Sequence, residues 1–391
     1  MNSWNALTII DWTLFAFATL TILYLLIFTI SSFFYRHTNI ANARQQNRFI
    51  VLIPSYKHDK TIEQTVKSVL GQTYPQRLFD VTVVSIEQNE ITNFRLAQLP
   101  ITLLTPQYAK STKAKALQVA INNLPQFKIY DAVIVLDADN IVEPEFLEQV
   151  NNAYESAGTK AIQVHRLSRN RDTTTARLEA IFEEINNTIF FKGQVALGFS
   201  SSLAGSGMVF DFSWFKQNII KINSSMDVKE LESLLMKQHV YIDYFDHIFV
   251  YDEKTRQVET FNAKRRSWIL SQIKTLLRNI RHLPLAAFNR DYATINKILQ
   301  WMLIPRMLLM AIVILFCIVA PFVYMTSALK WWGLFALSLL VYALATPDYL
   351  VDDKWDKTFY KVPLIFLKSI PGISKLVDKY ELLIKSIHHK S

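Results

Sequence analysis

Cysteine is almost missing from this chain of 391 residues: Cys317 is the only one, and it lies inside a long apolar run. A disulfide framework and a cysteine-based metal site are both excluded. Charge is scarce as well, 19% against 51% hydrophobic residues, and its distribution decides more than its amount. From Trp12 to Tyr35 there is no charged residue at all, and about 20 apolar residues suffice to cross a bilayer as a helix. A second run extends from Met307 to Leu329, and a shorter third from Trp331 to Pro347. No basic residue precedes the first run and no small-residue cleavage site closes it, which argues against a removed secretory signal. Internal repeats and low-complexity tracts are absent too, which excludes solenoid and linker-like architectures.

The basic residues set an orientation. Arg36, Arg44 and Arg48 follow the first run, Lys354, Lys357, Lys361 and Lys368 follow the third, and only Lys330 separates the second from the third. By the positive-inside rule the N-terminus and the turn at 327–331 face outward, with the segment 36–297 and the tail in the cytoplasm. The net charge of +9 then reads as attraction to anionic membrane lipid and not as a nucleic-acid footprint. The expected organisation is a transmembrane helix at 1–35, a cytoplasmic domain at 36–262, and an amphipathic interface region at 263–297. Two further transmembrane helices at 298–350 and a basic tail at 351–391 follow. The compact layout suggests a bacterial inner membrane. Ile269, Ile273, Leu276 and Ile280 form the apolar stripe of the interface helix, with Lys274, Arg278 and Arg281 elsewhere on it.

Between the membrane runs, strand and helix patterns alternate. RFIVLIP (48–54), VTVVSI (81–86), ITLLT (101–105), DAVIVL (131–136) and AIQVH (161–165) read as strands. Helices are expected at 61–70, 111–124, 143–157, 175–192 and 228–238, with further strands near 239–243 and 247–251. Such alternation predicts an α/β fold with a mostly parallel sheet and flanking helices, with ligands bound at the carboxyl ends of the strands. Asp137 and Asp139 fall at such an end. Two apart in extended chain, they point to one side and would present hard oxygen ligands suited to Mg2+ or Mn2+, with substrate phosphates completing the shell. The plainer alternative is a turn or helix cap. Lys113 and Lys115 would bring cation near a bound phosphate, and GSGM (205–208) offers open backbone N–H groups. Asp252, Glu253 and Lys254 read as a surface salt-bridge cluster, His165 and His247 as structural, and Glu184 in EEINN (183–187) as a residue shaping the acceptor side.

IVLIPSYK, STKAKAL, VIVLDADN, EEINN, GSGM, VKELE and VYDEK, in that order, resemble the membrane-bound family-two glycosyltransferases with an A-type (GT-A) nucleotide-sugar-binding domain, such as cellulose, hyaluronan and chitin synthases. The resemblance covers roughly 48–270. It implies metal-dependent transfer of a sugar, usually with inversion, from a nucleotide-diphosphate sugar to a hydroxyl acceptor, a polysaccharide or a glycolipid, with Mg2+ or Mn2+ at Asp137 and Asp139. Lys113 matches a lysine near the nucleotide, and Pro54, Ser55 and Tyr56 match the loop lining the base pocket. Gly205, Ser206 and Gly207 match the acceptor side.

Three positions depart from that pattern. Where the family's second strand ends in a nucleoside-contacting aspartate, this chain has Ile86 or Glu87. The general base belongs to a Glu-Asp pair leading a helix. Here the stretch is Asp227-Val228-Lys229-Glu230-Leu231-Glu232, so Val228 holds the base position and Asp227 or Glu230 would have to replace it. The Gln-x-x-Arg-Trp motif becomes Lys264-Arg265-Arg266-Ser267-Trp268, keeping Trp268 with Lys264 or Arg265 to meet a phosphate. Two readings follow: an active transferase with an altered acceptor site, or a catalytically impaired subunit that binds or scaffolds within a polysaccharide-assembly complex. LDADN also resembles superficially the nucleophile loop of haloacid-dehalogenase-type phosphatases, but that loop follows a domain's first strand and this one follows several. A transporter would need interrupted helices with polar groups at the bilayer midplane, and only Pro321 interrupts one.

Overall fold

The computed structural model describes residues 6–36, 42–107, 112–222, 228–323 and 325–351. The chain opens with α1 (Ala6–Ser32) and continues as β1 (Phe49–Tyr56), α2 (Ile62–Leu70), β2 (Phe79–Ile86), α3 (Glu90–Ala97) and β3 (Thr102–Leu104). Next come α4 (Lys113–Asn122), β4 (Ala132–Val135), β5 (Ile141–Val142), α5 (Phe146–Ala157), β6 (Ala161–Ser168) and α6 (Thr174–Asn186). A π-helical segment (Asn187–Lys192) leads from α6 into α7 (Gly193–Ala196), then β7 (Met208–Asp211), α8 (Phe212–Ile219), α9 (Val228–Lys237) and β8 (Ile242–Asp252). The helices α10 (Val258–Asn279), α11 (Leu283–Phe288), α12 (Tyr292–Met302), α13 (Arg306–Val323) and α14 (Met325–Ala345) complete the order. The two strands expected near 239–243 and 247–251 are thus one strand, β8, irregular where its pairing with β6 shifts between Val164 and His165.

The eight strands form one sheet in the order β3-β2-β1-β4-β7-β6-β8-β5. Pairing is parallel through β3, β2, β1 and β4 and again between β6 and β8, and antiparallel where β7 meets β4 and β6 and where β5 meets β8. Strand alternation explains why both faces are covered. Phe49, Val51 and Ile53 of β1 pack with Ile62 and Val66 of α2 and Leu147 and Val150 of α5. Ile50 and Leu52 point the other way, to Leu117 of α4, Phe215 of α8 and Leu231 and Leu235 of α9. Each such fully buried aliphatic side chain contributes about 1.5–3 kcal/mol.

A third apolar cluster joins α1, α13 and α14, with Ile22, Leu25, Val313 and Trp331 buried. Thr8–Ser32 and Ala328–Ala345 are long and apolar enough to cross a membrane, and α12 with α13 makes a third such unit bent by 58°. The turn expected at 327–331 falls earlier, because α14 begins at Met325 and carries Lys330. Lys330 is paired there with Asp11 of α1 and lies 3.9 Å from the Trp12 ring centroid, so a polar partner inside the bundle lets the helix run through it. At the other end of α1, Ser31 Oγ donates to the Gly193 carbonyl at 2.8 Å. A side chain at Gly193 would meet the Phe28 carbonyl at 2.1 Å, so glycine permits this close crossing. On α10 the usual arrangement is inverted: Gln272, Thr275 and Asn279 are buried, whereas Leu270, Ile273 and Leu277 are exposed. Gln272 Nε2 donates to the carbonyls of Trp301 and Leu303, both at 3.0 Å, satisfying backbone at the break between α12 and α13.

Candidate active site

The VIVLDADN segment forms β4 and then turns at Ala138 and Asp139, where the sequence reading expected extended chain. β4 is buried on both faces, and the chain leaves it through Asp137, Ala138 and Asp139, which all line one cavity of about 650 Å3. Asn140, fully buried, holds the turn: its Oδ1 accepts from the Asp137 N–H at 2.9 Å and its Nδ2 donates to Asp139 at 3.2 Å. Thr65 of α2 donates to the Ala138 carbonyl at 3.0 Å, anchoring the middle residue. Lys113 is brought in by α4, whose N-cap Thr112 accepts from the Lys115 N–H at 3.3 Å. Its Nζ is ion-paired with Asp137 and donates to the Gly205 carbonyl at 2.8 Å.

Electrostatics separate the two aspartates. Burial pushes the Asp137 carboxyl up, but Lys113 and Arg166 outweigh it and hold it below its ordinary value. Asp139 moves the other way, raised by burial and then by the negative charge of Asp137. The charged form of Asp139 is therefore disfavoured until a further cation joins it. That donor set fits a hard divalent cation: two carboxylates on one side of the chain, with room beside them for phosphate oxygens. Among the described residues no cluster of three His, Cys, Asp or Glu side chains forms a metal cage.

A buried charge network stands beside this pair, and two of its members, Asp252 and Lys254, are residues the sequence reading placed at the surface. Asp252 and Lys254 are buried, and with Arg166 and Glu183 they line the cavity. Arg166 is ion-paired with Asp252 and, at 3.3 Å, with Glu183, and donates to the Ala204 carbonyl at 2.7 Å. Lys254 is paired with both Glu183 and Asp252. Burial pushes the Asp252 carboxyl up to about 6, Arg166 opposing and Asp139 adding to the rise. Burial likewise pulls Lys254 well down. The DEK run looked like solvated charge because nothing in it signals that β6 and α6 fold over it. Glu184, in contrast, turns inward: its carboxylate accepts from Asn187 Nδ2 at 3.0 Å and lies 3.0 Å from His165 Nε2, while Glu183 takes the cavity.

At the ends of β1 and β2, Pro54, Ser55, Tyr56 and Ile86 line the cavity; Glu87 is not among the lining residues. Its backbone is left-handed (φ 52°), and its exposed carboxylate pairs with Lys57 at 2.9 Å and accepts from the Tyr56 hydroxyl at 3.3 Å. Gly205 and Gly207 adopt φ 103° and 62°, and a side chain on Gly207 would meet Val164 at 2.8 Å, so this loop demands glycine twice. The loop touches the site through Lys113, while its neighbours Ser202, Leu203 and Ala204 form the wall. Ser206 is fully buried.

The base region is only partly brought together. Asp227 lies outside the described residues. Val228 packs against the loop, 3.3 Å from where a side chain on Gly205 would sit. Glu230 is ion-paired with Arg278 and is absent from the cavity lining. Glu232, buried, is a structural hub that accepts from the Leu203 N–H at 2.7 Å and from Lys229 at 3.0 Å. Lys229, Trp268 and Arg265 do line the cavity. The Arg265 guanidinium lies 4.3 Å from the Phe182 ring centroid, and burial, with Arg306 next to it, pulls it down to about 10. Sequence reasoning missed Arg166, Phe182 and Arg306; only the order of motifs hinted that their segments converge.

Sheet order and flanking helices together define a GT-A-type α/β domain with long apolar helices before and after it. Residues 132–346 match the glycosyl transferase family group 2 model, and the chain belongs to that family. In structure it is similar to the mannosyltransferase PcManGT from Pyrobaculum calidifontis, solved with GDP-Man and Mn2+: 14% identity over 89% of this chain and 99% of that one, TM-score 0.54. It is also similar to S. aureus TarS 1–349, at 14% identity over 88% and 92% with TM-score 0.41. A third is glucosyl-3-phosphoglycerate synthase from Mycobacterium tuberculosis with Mn2+, UDP and phosphoglyceric acid, at 15% identity over 59% and 78% with TM-score 0.40. No curated protein matches in sequence.

Proposed function

We propose that this protein is a membrane-bound, metal-dependent glycosyltransferase that moves a sugar from a nucleotide-diphosphate sugar to a hydroxyl of a glycan or lipid acceptor, with inversion. The observation that carries the reading is the Asp137–Asp139 pair at the end of β4, flanked by Lys113 and Arg166 and opening into the cavity. Pro54, Ser55 and Tyr56 receive the nucleoside, and Lys113 meets the diphosphate, exchanging its ion pair with Asp137 for the substrate. Asp137 and Asp139 hold Mg2+ or Mn2+, which when bound neutralises the departing nucleoside diphosphate. The acceptor oxygen forms the new bond to the sugar carbon as the bond to the phosphate oxygen breaks; the acceptor proton goes to a carboxylate. Of the two sequence candidates for that base, Asp227 is preferred, since Glu230 is engaged by Arg278. Trp268, Arg265 and the Gly205-Ser206-Gly207 loop belong to the acceptor side.

The domain spanning 36–262 faces the cytoplasm of a bacterial inner membrane, with the N-terminus outside. The inverted α10 rests its exposed Leu270, Ile273 and Leu277 in the interface, within the 263–297 region. One observation favours a second reading, a catalytically impaired scaffold within a polysaccharide-assembly complex: Val228, at the position where the resemblance expects the base, cannot accept a proton. Release of UDP or GDP from a panel of sugar nucleotides with Mn2+ or Mg2+, in detergent, separates the two. Release from one donor, lost in Asp139→Asn, is the expected result, with Asp227→Asn slowing turnover by about 100-fold or more. Binding of nucleotide without release would favour the scaffold, and neither binding nor release would sink the transferase reading and leave a scaffold that acts through its partners.

A further inference from the structure

Within the cavity, most cations are ion-paired with a carboxylate. Lys113 is paired with Asp137, Arg166 with Asp252 and Glu183, Lys254 with Glu183, Lys229 with Glu232, and Lys264 with Glu179. Among the described residues, Arg265 and Arg306 are the exception. Both line the cavity, and both lie over one aromatic ring, that of Phe182, at 4.3 and 5.5 Å from its centroid. Arg306 donates through Nη2 to the Phe182 carbonyl at 3.2 Å and to Asn186 at 2.7 Å, while Arg265 also faces the Phe261 ring at 5.1 Å. The Nη1 of each is buried with no hydrogen-bond partner among the described residues. Two like charges on one ring, each with a buried donor left over, form an arrangement that is unfavourable until an anion joins it. Arginine's planar fork suits a phosphoryl group.

The position of the pair says what carries that phosphoryl group. Arg306 is the first residue of α13, immediately after the break that bends α12 and α13 by 58°. The cavity wall around it is apolar: Leu303, Ile304 and Met307 from the broken span, Leu25 from α1, and Phe190. A soluble anion gains nothing from such walls, whereas an alkyl chain does. The cations that act most on Asp137 belong to a different group, Lys113, Arg166 and His58. The cavity therefore has two cationic centres, one at the strand end and one where the membrane helices begin.

We propose that Arg265 and Arg306 bind the phosphoryl group of a lipid-linked acceptor, whose apolar chain follows the break between α12 and α13 and whose other end faces Asp137 and Asp139. This rests on the transferase reading above and specifies its acceptor class. The test is binding of phytanyl phosphate, with phytanol as its uncharged match, to the full chain in detergent, alongside Mn2+-dependent binding of UDP and GDP. Phytanyl phosphate binds about tenfold or more tightly than phytanol. Arg265→Gln and Arg306→Gln each erase that preference, and Arg306→Lys, which keeps the charge but not the fork, restores part of it. Nucleotide affinity in Arg306→Gln stays within about twofold, which also shows that the variant is folded.

Unchanged phytanyl phosphate binding in both Gln variants overturns the proposal. So does displacement by inorganic phosphate at equal concentration, which would assign the pair to a free anion. Parallel loss of nucleotide binding in folded Gln variants would give the arginines to the donor diphosphate instead. Wild-type protein that binds phytanyl phosphate but no nucleotide refutes the transferase reading and leaves the site standing; the converse refutes the site alone.

Discussion

Arg166 holds together what would otherwise be an assembly of mutually repelling acids. It pairs with Asp252 and Glu183 and lowers the cost of charge on both Asp137 and Asp139. Removing one partner of a buried pair strands the other, at about 3–5 kcal/mol. Arg166→Ala should therefore lower the thermal unfolding midpoint clearly and weaken Mn2+-dependent nucleotide binding, both measurable in detergent; unaltered binding would remove Arg166 from the site. Glu232 acts differently. Burial pushes its carboxyl up, but Lys229, Lys297 and the Leu203 N–H outweigh that and leave it below its ordinary 4.5. A depressed folded value means that this stabilisation is complete above about pH 4.5 and is lost as pH falls through the folded value. Melting curves between pH 7 and 3 should show the loss in the wild type. Glu232→Gln should start from a lower midpoint and lack that part of the acid dependence.

Among the elements, the 205–207 loop and the helices around it show how local chemistry becomes geometry. Gly207 sits at φ 62°, with Val164 at 2.8 Å from any added methyl. Backbone strain and a collision with the core of β6 act together, so Gly207→Ala should destabilise by about 1–3 kcal/mol. The loop carries the Gly205 carbonyl that Lys113 uses, so nucleotide affinity should fall with it. Binding that survives with unchanged stability would show the loop to be plastic. The expected helix over 175–192 is instead α6, a π-helical stretch and α7, an irregularity that lets Phe190 and Phe191 reach the cavity and Gly193 meet α1. Residue patterns announced helix there, and the change of hydrogen-bond register had no signature, because it is dictated by the α1 crossing.

For the molecule as a whole, the pairing of Lys330 with Asp11 places the start of α1 and the start of α14 side by side, so in the proposed membrane topology both ends share one face. The proposed topology puts the α/β domain on the opposite, cytoplasmic face. Cys317 is buried in the helical cluster, so a cysteine introduced at exposed Phe127 can be read against a low background. Phe127→Cys should react with a membrane-impermeant maleimide in inverted membrane vesicles and not in intact spheroplasts; labelling in spheroplasts would reverse the orientation. Periodicity and composition alone were enough for the strand-helix alternation, the apolar helices and the Asp137–Asp139 pair, because each depends on neighbours close in the chain. Which of Glu183 and Glu184 faces the cavity, the burial of Asp252 and Lys254, and the meeting of Arg265 with Arg306 over Phe182 were decided only by tertiary structure. Those contacts join α6, β8, α10 and α13, segments far apart in the chain. Whether a charge there is solvated or enclosed depends on what folds across it.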